Sequence, residues 1–180
     1  MGGWTKNRSF ELTDMKEGSS QYPGIAMGSD GKCHVCWQEF KNRHDAVYGG
    51  YLKDGAVMEK TRLSGEGEAL RPVVCAVGDT VWYAWSECSG QEWQILLRYH
   101  KQGSYSPIMT AARGEALFYP FLFEADGRLA LVFNDQGKGY SDCVLCWVRE
   151  DGISPKEVVS LAGKAYRPTG CLGGDGNLYI

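Results

Sequence analysis

The stretch that decides the fold is "LRPVVCAVGDTVWYAW", residues 70–85, because its pattern occurs four times along the chain. The other copies are "QYPGIAMGSDGKCHVCW" from residue 21, "FYPFLFEADGRLALVF" from residue 118 and "YRPTGCLGGDGNLYI" from residue 166. Their prolines, Pro23, Pro72, Pro120 and Pro168, are separated by 49, 48 and 48 residues. Each proline precedes an apolar run, an aspartate and a second apolar run. The chain therefore contains a repeat with a period of about 48 residues.

The content of one period predicts a blade of a β-propeller. The second copy contains four short predicted strands, "VVCAV", "VWYAW", "QILLRY" and "YSPIMTAA", with turn signals between them. Four strands repeated with such a period are typical of propeller blades. Apolar runs such as "LALVF" and "CVLCW" suit sheets that are covered on both faces, as stacked blades are. The predicted fold class is all-β, a β-propeller fragment of four-stranded antiparallel blades, with strands A to D counted outward from the axis.

The period also sets the expected boundaries of the blades. Residues 1–20 are the end of a blade, with "RSFELTD" as strand D, and 21–69, 70–117 and 118–165 are whole blades. Residues 166–180 begin a further one. The two ends together supply 35 residues, fewer than one period, so we do not expect them to close one blade. The isolated fragment is expected to self-associate through exposed apolar blade faces.

Three details are expected inside each blade. The Asp-Gly pairs at 30–31, 126–127 and 175–176 predict tight A-to-B hairpins with positive φ at both residues. Each proline is expected at the first residue of strand A, an inner edge where a missing N–H breaks no ladder. Trp37, Trp85 and Phe133, at the end of strand B, are expected to pack blade on blade.

The stretch "YPGIAMGSDGKCHVCWQEF" resembles the repeats of bacterial sialidase-like, neuraminidase-type propellers. In those repeats a Pro-led inner strand, a DG turn and a Trp-ended second strand recur, with an acidic residue just beyond. The resemblance covers about residues 21–180. It implies a glycoside hydrolase in which an arginine cluster holds the substrate carboxylate and a tyrosine, activated by a carboxylate, is the nucleophile. The Asp-box between outer strands is absent here, since these DG pairs lie between inner strands.

The residues that precede the four blade prolines are the first candidates for ligand binding: Tyr22, Arg71, Tyr119 and Arg167. They are expected near the axis, at the rim shared by the D-to-A and B-to-C connections. Two guanidinium groups at a channel mouth suit a carboxylate or a sugar, because arginine offers a bidentate fork. The alternative is that these long side chains only cover the rim and pair with Glu68 or Glu115.

Four further candidates are Glu39, Glu87, Asp135 and His44. The three acids stand two residues past the blade aromatic, and this symmetry favours a structural role in capping N–H groups of the B-to-C turn. Catalytic carboxylates need different environments, which a repeated position does not provide. His44, in the polar loop "EFKNRHD", is the histidine nearest the predicted rim, and a solvated loop residue is the alternative.

Composition limits the partners. The net charge is −3 and basic residues do not cluster, so no nucleic-acid partner is predicted. No membrane span or signal peptide is present, which at face value predicts a cytoplasmic protein and leaves a secreted parent protein open. No Gly-rich phosphate loop occurs, so no cofactor is predicted. The seven cysteines are expected as reduced thiols acting as small hydrophobes. The pairs Cys33–Cys36 and Cys143–Cys146 are expected to pack in the core rather than hold a metal, because positions i and i+3 of a strand point to opposite faces.

The function predicted first is a propeller binding module that recognises a glycan or protein partner at the rim formed by the B-to-C and D-to-A loops. One alternative is a sialidase-like glycoside hydrolase of which this chain is an incomplete piece. Another is a purely structural protein-interaction propeller. No catalytic residue is assigned.

Overall fold

The computed structural model describes residue 13 and residues 18–137, 139–161 and 165–180. All regular elements in these ranges are β-strands, which confirms the all-β prediction. The predicted strand "RSFELTD" lies outside the described residues, apart from Thr13. No helix long and apolar enough to cross a membrane occurs in the described part of the chain.

The first blade is a four-stranded antiparallel sheet with its strands in chain order. The strands are β1 (Ser19–Met27), β2 (Cys33–Lys41), β3 (His44–Lys53) and β4 (Ala56–Arg62).

The second and third blades follow the same plan, but in each of them two short strands pair with the third strand in place of a single fourth strand. The second blade contains β5 (Glu68–Val77), β6 (Thr80–Ser89), β7 (Glu92–Lys101), β8 (Ser104–Tyr105) and β9 (Met109–Gly114). The third contains β10 (Leu117–Ala125), β11 (Arg128–Asp135), β12 (Asp142–Arg149), β13 (Gly152–Ile153) and β14 (Glu157–Val158). A short hairpin of β15 (Cys171–Leu172) and β16 (Leu178–Tyr179) follows.

The blades stack side by side around their first strands. Strands β1, β5 and β10 each form an edge of their sheet, and neighbouring first strands contact one another. The apolar core lies between the sheets, where Tyr83 and Trp85 pack towards the first blade and Trp82 and Leu131 pack between the second and third. Four-stranded sheets stacked about their inner strands are the architecture of a β-propeller. The described residues therefore form part of a propeller, as the repeat predicts.

The position of the blade prolines differs from the prediction. Strand β5 begins at Glu68, four residues before Pro72, and its pairing with β6 shifts register between Leu70 and Val73. The same shift surrounds Pro23 in β1 and Pro120 in β10. The prolines of these three blades thus lie in a bulge inside the inner strand, where the extra residue is unpaired and a missing N–H is tolerated.

The fourth proline also departs from the prediction, because Pro168 precedes the short strand β15 rather than opening it.

The predicted outermost strand "YSPIMTAA" is interrupted at its Ser-Pro pair. The backbone N–H of Ser106 donates to the Tyr99 carbonyl (2.8 Å), and the Tyr99 N–H donates to the Ser106 hydroxyl (2.9 Å). Ser154 makes the same two bonds with Trp147 in the third blade, each at 2.9 Å. A serine side chain thus replaces a ladder bond where the following proline ends regular pairing.

The Asp-Gly hairpins are of two kinds. Of the three predicted A-to-B pairs, Asp126-Gly127 is the one in which both residues have positive φ, 52° and 71°, in the tight turn that the sequence predicts. At 30–31 and 175–176 the glycine alone has positive φ. In these longer turns the aspartate carboxylate accepts the backbone N–H two residues ahead, at 3.0 Å for Asp30 and 3.1 Å for Asp175. The prediction is wrong for these two turns, because the side chain closes an Asx-type turn instead.

Candidate functional site

The four residues before the blade prolines share one backbone conformation. Tyr22, Arg71, Tyr119 and Arg167 have φ of 52°, 55°, 56° and 53°, the left-handed region that residues other than glycine rarely adopt. Such a conformation costs on the order of 1–3 kcal/mol per residue and persists where the surrounding structure holds it. Its recurrence at four equivalent positions turns the side chains out of the ladder towards the propeller axis.

At the axis these side chains meet in an alternating cluster. The guanidinium carbon of Arg71 lies 3.8 Å from the ring centroid of Tyr119 and 5.8 Å from that of Tyr22. The guanidinium carbon of Arg167 lies 5.2 Å from the ring centroid of Tyr119. Tyr119 is thus flanked by two arginines, and Arg71 by two tyrosines. Hydrogen bonding from Arg167, together with the positive charge and hydrogen bonding of Arg71, lowers the pKa of Tyr119.

The cluster lines a cavity of about 340 Å³, which we call the axial cavity. Its remaining walls are the four blade prolines, Val73, Phe121 and Thr169. No carboxylate lines this cavity in the described ranges, and no ion pair there joins Arg71 or Arg167 to an acid. The alternative pairing with Glu68 is not formed, since Glu68 instead accepts bonds from His44 and from the backbone N–H of Asp45. Among the described residues, the site is therefore cationic and has no acidic partner.

Two buried amides hold the arginines in place, and sequence reasoning missed both. The backbone N–H of Arg71 donates to the Gln38 side-chain oxygen (3.0 Å), and that of Arg167 donates to the Asn134 side-chain oxygen (2.8 Å). Each amide belongs to the preceding blade and stands one residue after its aromatic. The sequence does contain a signal for these two residues: Gln38 and Asn134 are amides that each lie between an aromatic residue and an acid, and they are 96 positions apart.

The second blade has Ser86 in this position, where the side chain is too short to act as the two amides do. Its hydroxyl is fully buried and has no hydrogen-bond partner among the described residues.

The three symmetric acids lie outside the axial cavity, and each has a different partner. Glu87 accepts bonds from the Trp85 indole N–H (2.8 Å) and from the backbone N–H groups of Gly65 and Gly67 (both 3.1 Å). It therefore caps the D-to-A connection rather than the B-to-C turn.

Glu39 and Asp135 differ from Glu87. Glu39 forms an ion pair with Lys60 (2.7 Å). Asp135 accepts the N–H of Gly137 (3.3 Å), within its own B-to-C connection, and pairs with Lys156 (3.3 Å).

His44 also lies outside the axial cavity and is not in a solvated loop. Asn42 and Arg43 both have positive φ and form a two-residue turn, so His44 is the first residue of β3. Its Nδ1 lies 3.0 Å from Glu68 Oε1, and Arg62 Nη2 lies 3.2 Å from its Nε2. The Asp45 N–H, and then His44, lower the pKa of Glu68.

The B-to-C connections offer little surface for recognition in two blades. They consist of residues 42–43 in the first blade and 90–91 in the second, whereas a longer connection joins β11 to β12 in the third. Short turns restrict what a ligand can contact there.

All seven cysteines are free thiols. Burial raises the pKa of Cys36 to about 12 and of Cys143 and Cys146 to about 11, so these thiols remain protonated. No group of three or more His, Cys, Asp or Glu is arranged to hold a metal in the part of the chain that is described.

Comparison with known proteins shows the class of fold. No protein-family model and no curated protein matches the sequence. Among solved structures, a neuraminidase-like protein from A/bat/Guatemala superposes with a TM-score of 0.63 at 12% identity, over 89% of this chain and 48% of that one. An α-L-arabinanase from Penicillium chrysogenum, complexed with arabinobiose, gives 0.59 at 14% identity, over 80% and 50%.

A mannose phosphorylase from Leishmania mexicana gives a TM-score of 0.57 at 9% identity, over 79% of this chain and 47% of that one. The chain thus spans about half the length of these structures. Identities this low show the fold alone, and they confirm the resemblance to sialidase-like propellers at that level.

Proposed function

We propose that this chain is part of a propeller that binds a carboxylate-bearing carbohydrate in the axial cavity. The observation that carries the proposal is the convergence of Arg71 and Arg167 on Tyr119, in a cavity that no described carboxylate lines. A guanidinium presents paired N–H donors that match the two oxygens of a carboxylate. Two such groups without acidic partners favour an anionic ligand.

The other residues of the cavity suit a sugar ring. Tyr22 and Tyr119 offer aromatic faces and hydroxyl groups, while Phe121 and the prolines form stiff apolar walls. The similar structures support this choice, because they include neuraminidase-like proteins and an arabinanase in complex with arabinobiose. Recognition through the axial cavity also fits the short B-to-C turns of the first two blades.

Binding is favoured over hydrolysis by the positions of the acids. Glycoside hydrolysis uses two carboxyl groups about 5 Å or about 6.5–9.5 Å apart across the scissile bond. Glu39, Glu87 and Asp135 lie outside the axial cavity and are engaged by Lys60, Trp85 and Lys156. Among the described residues, no carboxylate lines the cavity beside Tyr119 to activate it as a nucleophile.

A glycan array with sialylated, uronate-containing and matched neutral glycans tests the proposal. The parent protein is expected to bind acidic glycans, and Arg71→Ala and Arg167→Ala are each expected to lose that binding while remaining folded. Arg113→Ala is the matched control, because Arg113 is exposed and paired with Glu92 on an outer strand (2.8 Å). Unchanged binding by both cavity variants, or equal binding of neutral glycans, would overturn the proposal.

A further inference from the structure

A polar cluster is buried between the first and second blades, at the rim opposite the B-to-C turns. His34 and His100 are only 2% and 7% exposed, and their ring centroids lie 5.5 Å apart. They form part of the wall of a cavity of about 380 Å³, which we call the inter-blade cleft. Lys32 and Lys101 stand at the same cleft.

The repeat shows that the fold does not require histidines here. The residues 48 positions after His34 and His100 are Trp82 and Val148. These two lie in one apolar cluster with Leu131 and Ile153, which are 48 positions after Tyr83 and Tyr105. Four apolar side chains thus fill the second blade interface where two histidines and two tyrosines fill the first. The chain departs from its own repeat at this place.

The two histidines differ in their hydrogen-bond partners. His34 Nδ1 lies 3.2 Å from the Tyr83 hydroxyl, and its Nε2 lies 3.7 Å from Asp30 Oδ1. His100 lies against the Tyr105 ring, with ring centroids 4.9 Å apart. Among the described residues, the imidazole nitrogens of His100 form no hydrogen bond. A positive charge on His100 would therefore lack a direct acceptor.

Several charged or titratable groups face the pair from the surrounding elements. They are Asp30 and Lys32 in the A-to-B turn of the first blade, Tyr51 on β3, Glu59 on β4, Asp79 in the A-to-B turn of the second blade, Tyr83 on β6, Lys101 on β7 and Tyr105 on β8. Burial is the main cause that lowers the pKa of both histidines. The His100 ring lowers the pKa of His34 further and Lys32 lowers the pKa of both, whereas Asp30 and Glu59 oppose the shifts only in part.

We propose that His34 and His100 form a proton-sensitive contact that loosens the packing of the first blade on the second in acid. Burial of an imidazolium is costly, and two of them at this separation would repel each other. The contact does not depend on what the axial cavity binds. It does, however, join the blades that carry Tyr22 and Arg71, on either side of that cavity.

The direction of the pH dependence follows from linkage. Because the folded pKa of each histidine lies below its ordinary value of 6.5, the unfolded chain takes up protons first as the pH falls. Above pH 6.5, protonation of the two histidines does not lower the free energy of unfolding. Stability is lost progressively below that value and the loss is complete below the folded pKa.

The first test needs no substitution. Imidazole signals of the three histidines are followed by NMR in the full chain while the pH is lowered from about 8 to about 4. His34 and His100 are expected to titrate below pH 6.5, with loss of amide protection in β2 and β7 before β11 and β12. Titration of both buried residues at or above the ordinary histidine value would overturn the proposal.

Substitution gives a second, independent readout. The double variant His34→Gln/His100→Gln is compared with the parent and with His44→Gln, a control that keeps the buried pair. The urea midpoint of unfolding is measured at about pH 7.5 and about pH 5.5. Between the two pH values, the urea midpoint is expected to fall further for the parent and the control than for the double variant. Equal losses in all three proteins would contradict the proposal.

Discussion

The first and second blades place the same sequence signature, Trp-x-Glu, in different surroundings. Trp85 in the second blade is fully buried, and its indole N–H donates to Glu87 at 2.8 Å. Trp37 in the first blade lines an apolar cavity of about 360 Å³, and its indole N–H has no hydrogen-bond partner among the described residues. Glu39 is held instead by Lys60. A repeated residue thus contributes according to its neighbours in the stack.

The largest difference is expected between the two tryptophans. Trp85→Ala should lower the free energy of unfolding by about 3–5 kcal/mol, because it opens a cavity inside a blade that is packed on both sides. Trp37→Ala should cost clearly less, since Trp37, although only 4% exposed, already borders a cavity and so leaves less new empty volume when truncated. Urea unfolding of both variants at neutral pH measures the difference. Equal losses of stability would show that the two tryptophans are packed equally tightly.

A smaller difference is expected between the two glutamates. Glu87→Ala leaves three N–H donors without their acceptor and should cost about 1–3 kcal/mol. Glu39→Ala removes one ion pair to a largely exposed lysine and should cost about 0–1 kcal/mol. The same unfolding measurement applies to both. A larger loss for Glu39→Ala than for Glu87→Ala would be contrary to this expectation.

The smallest effect is expected at the residue between the aromatic and the acid. Ser86→Ala removes a buried hydroxyl that has no described partner, so the free energy of unfolding should stay nearly unchanged or rise. Asn134→Ala, at the equivalent position of the third blade, removes the acceptor of the Arg167 N–H and the donor to the Ala165 carbonyl (2.8 Å), and should cost about 1–2 kcal/mol. Equal costs at the two positions would mean that the hydrogen bonds of the amide do not stabilise the blade.

Much of the fold could be predicted from the sequence, because a regular spacing of prolines and aromatics fixes strand order and stacking together. The bulge could not, since the apolar pattern alone does not show that β5 begins at Glu68 rather than at Pro72. The tight turns predicted at 30–31 and 175–176 are wrong for a related reason. Local sequence does not distinguish a side-chain-closed turn from a tighter one, and both use Asp-Gly.

The axial residues of the candidate site were predictable for the same reason as the fold: a position before a repeated proline must recur around the axis. The hydrogen bonds and ring contacts of the site could not be predicted in this way. The bonds that Gln38 and Asn134 make with the next blade span 33 residues, and the pairing of His34 with His100 spans 66. Such contacts depend on blade-to-blade distance and side-chain length, and the repeat fixes neither.

A calorimetric titration tests the binding of a carboxylate at the axial cavity most directly. The full chain is titrated with the acidic glycan that binds best on the array, and separately with the methyl ester of the same glycan. The acid is expected to bind and the ester to bind at least tenfold more weakly, a loss of about 1.4 kcal/mol, because the ester removes the charge that Arg71 and Arg167 recognise. Equal affinity for acid and ester, or binding of the acid that survives replacement of both arginines, would contradict the account.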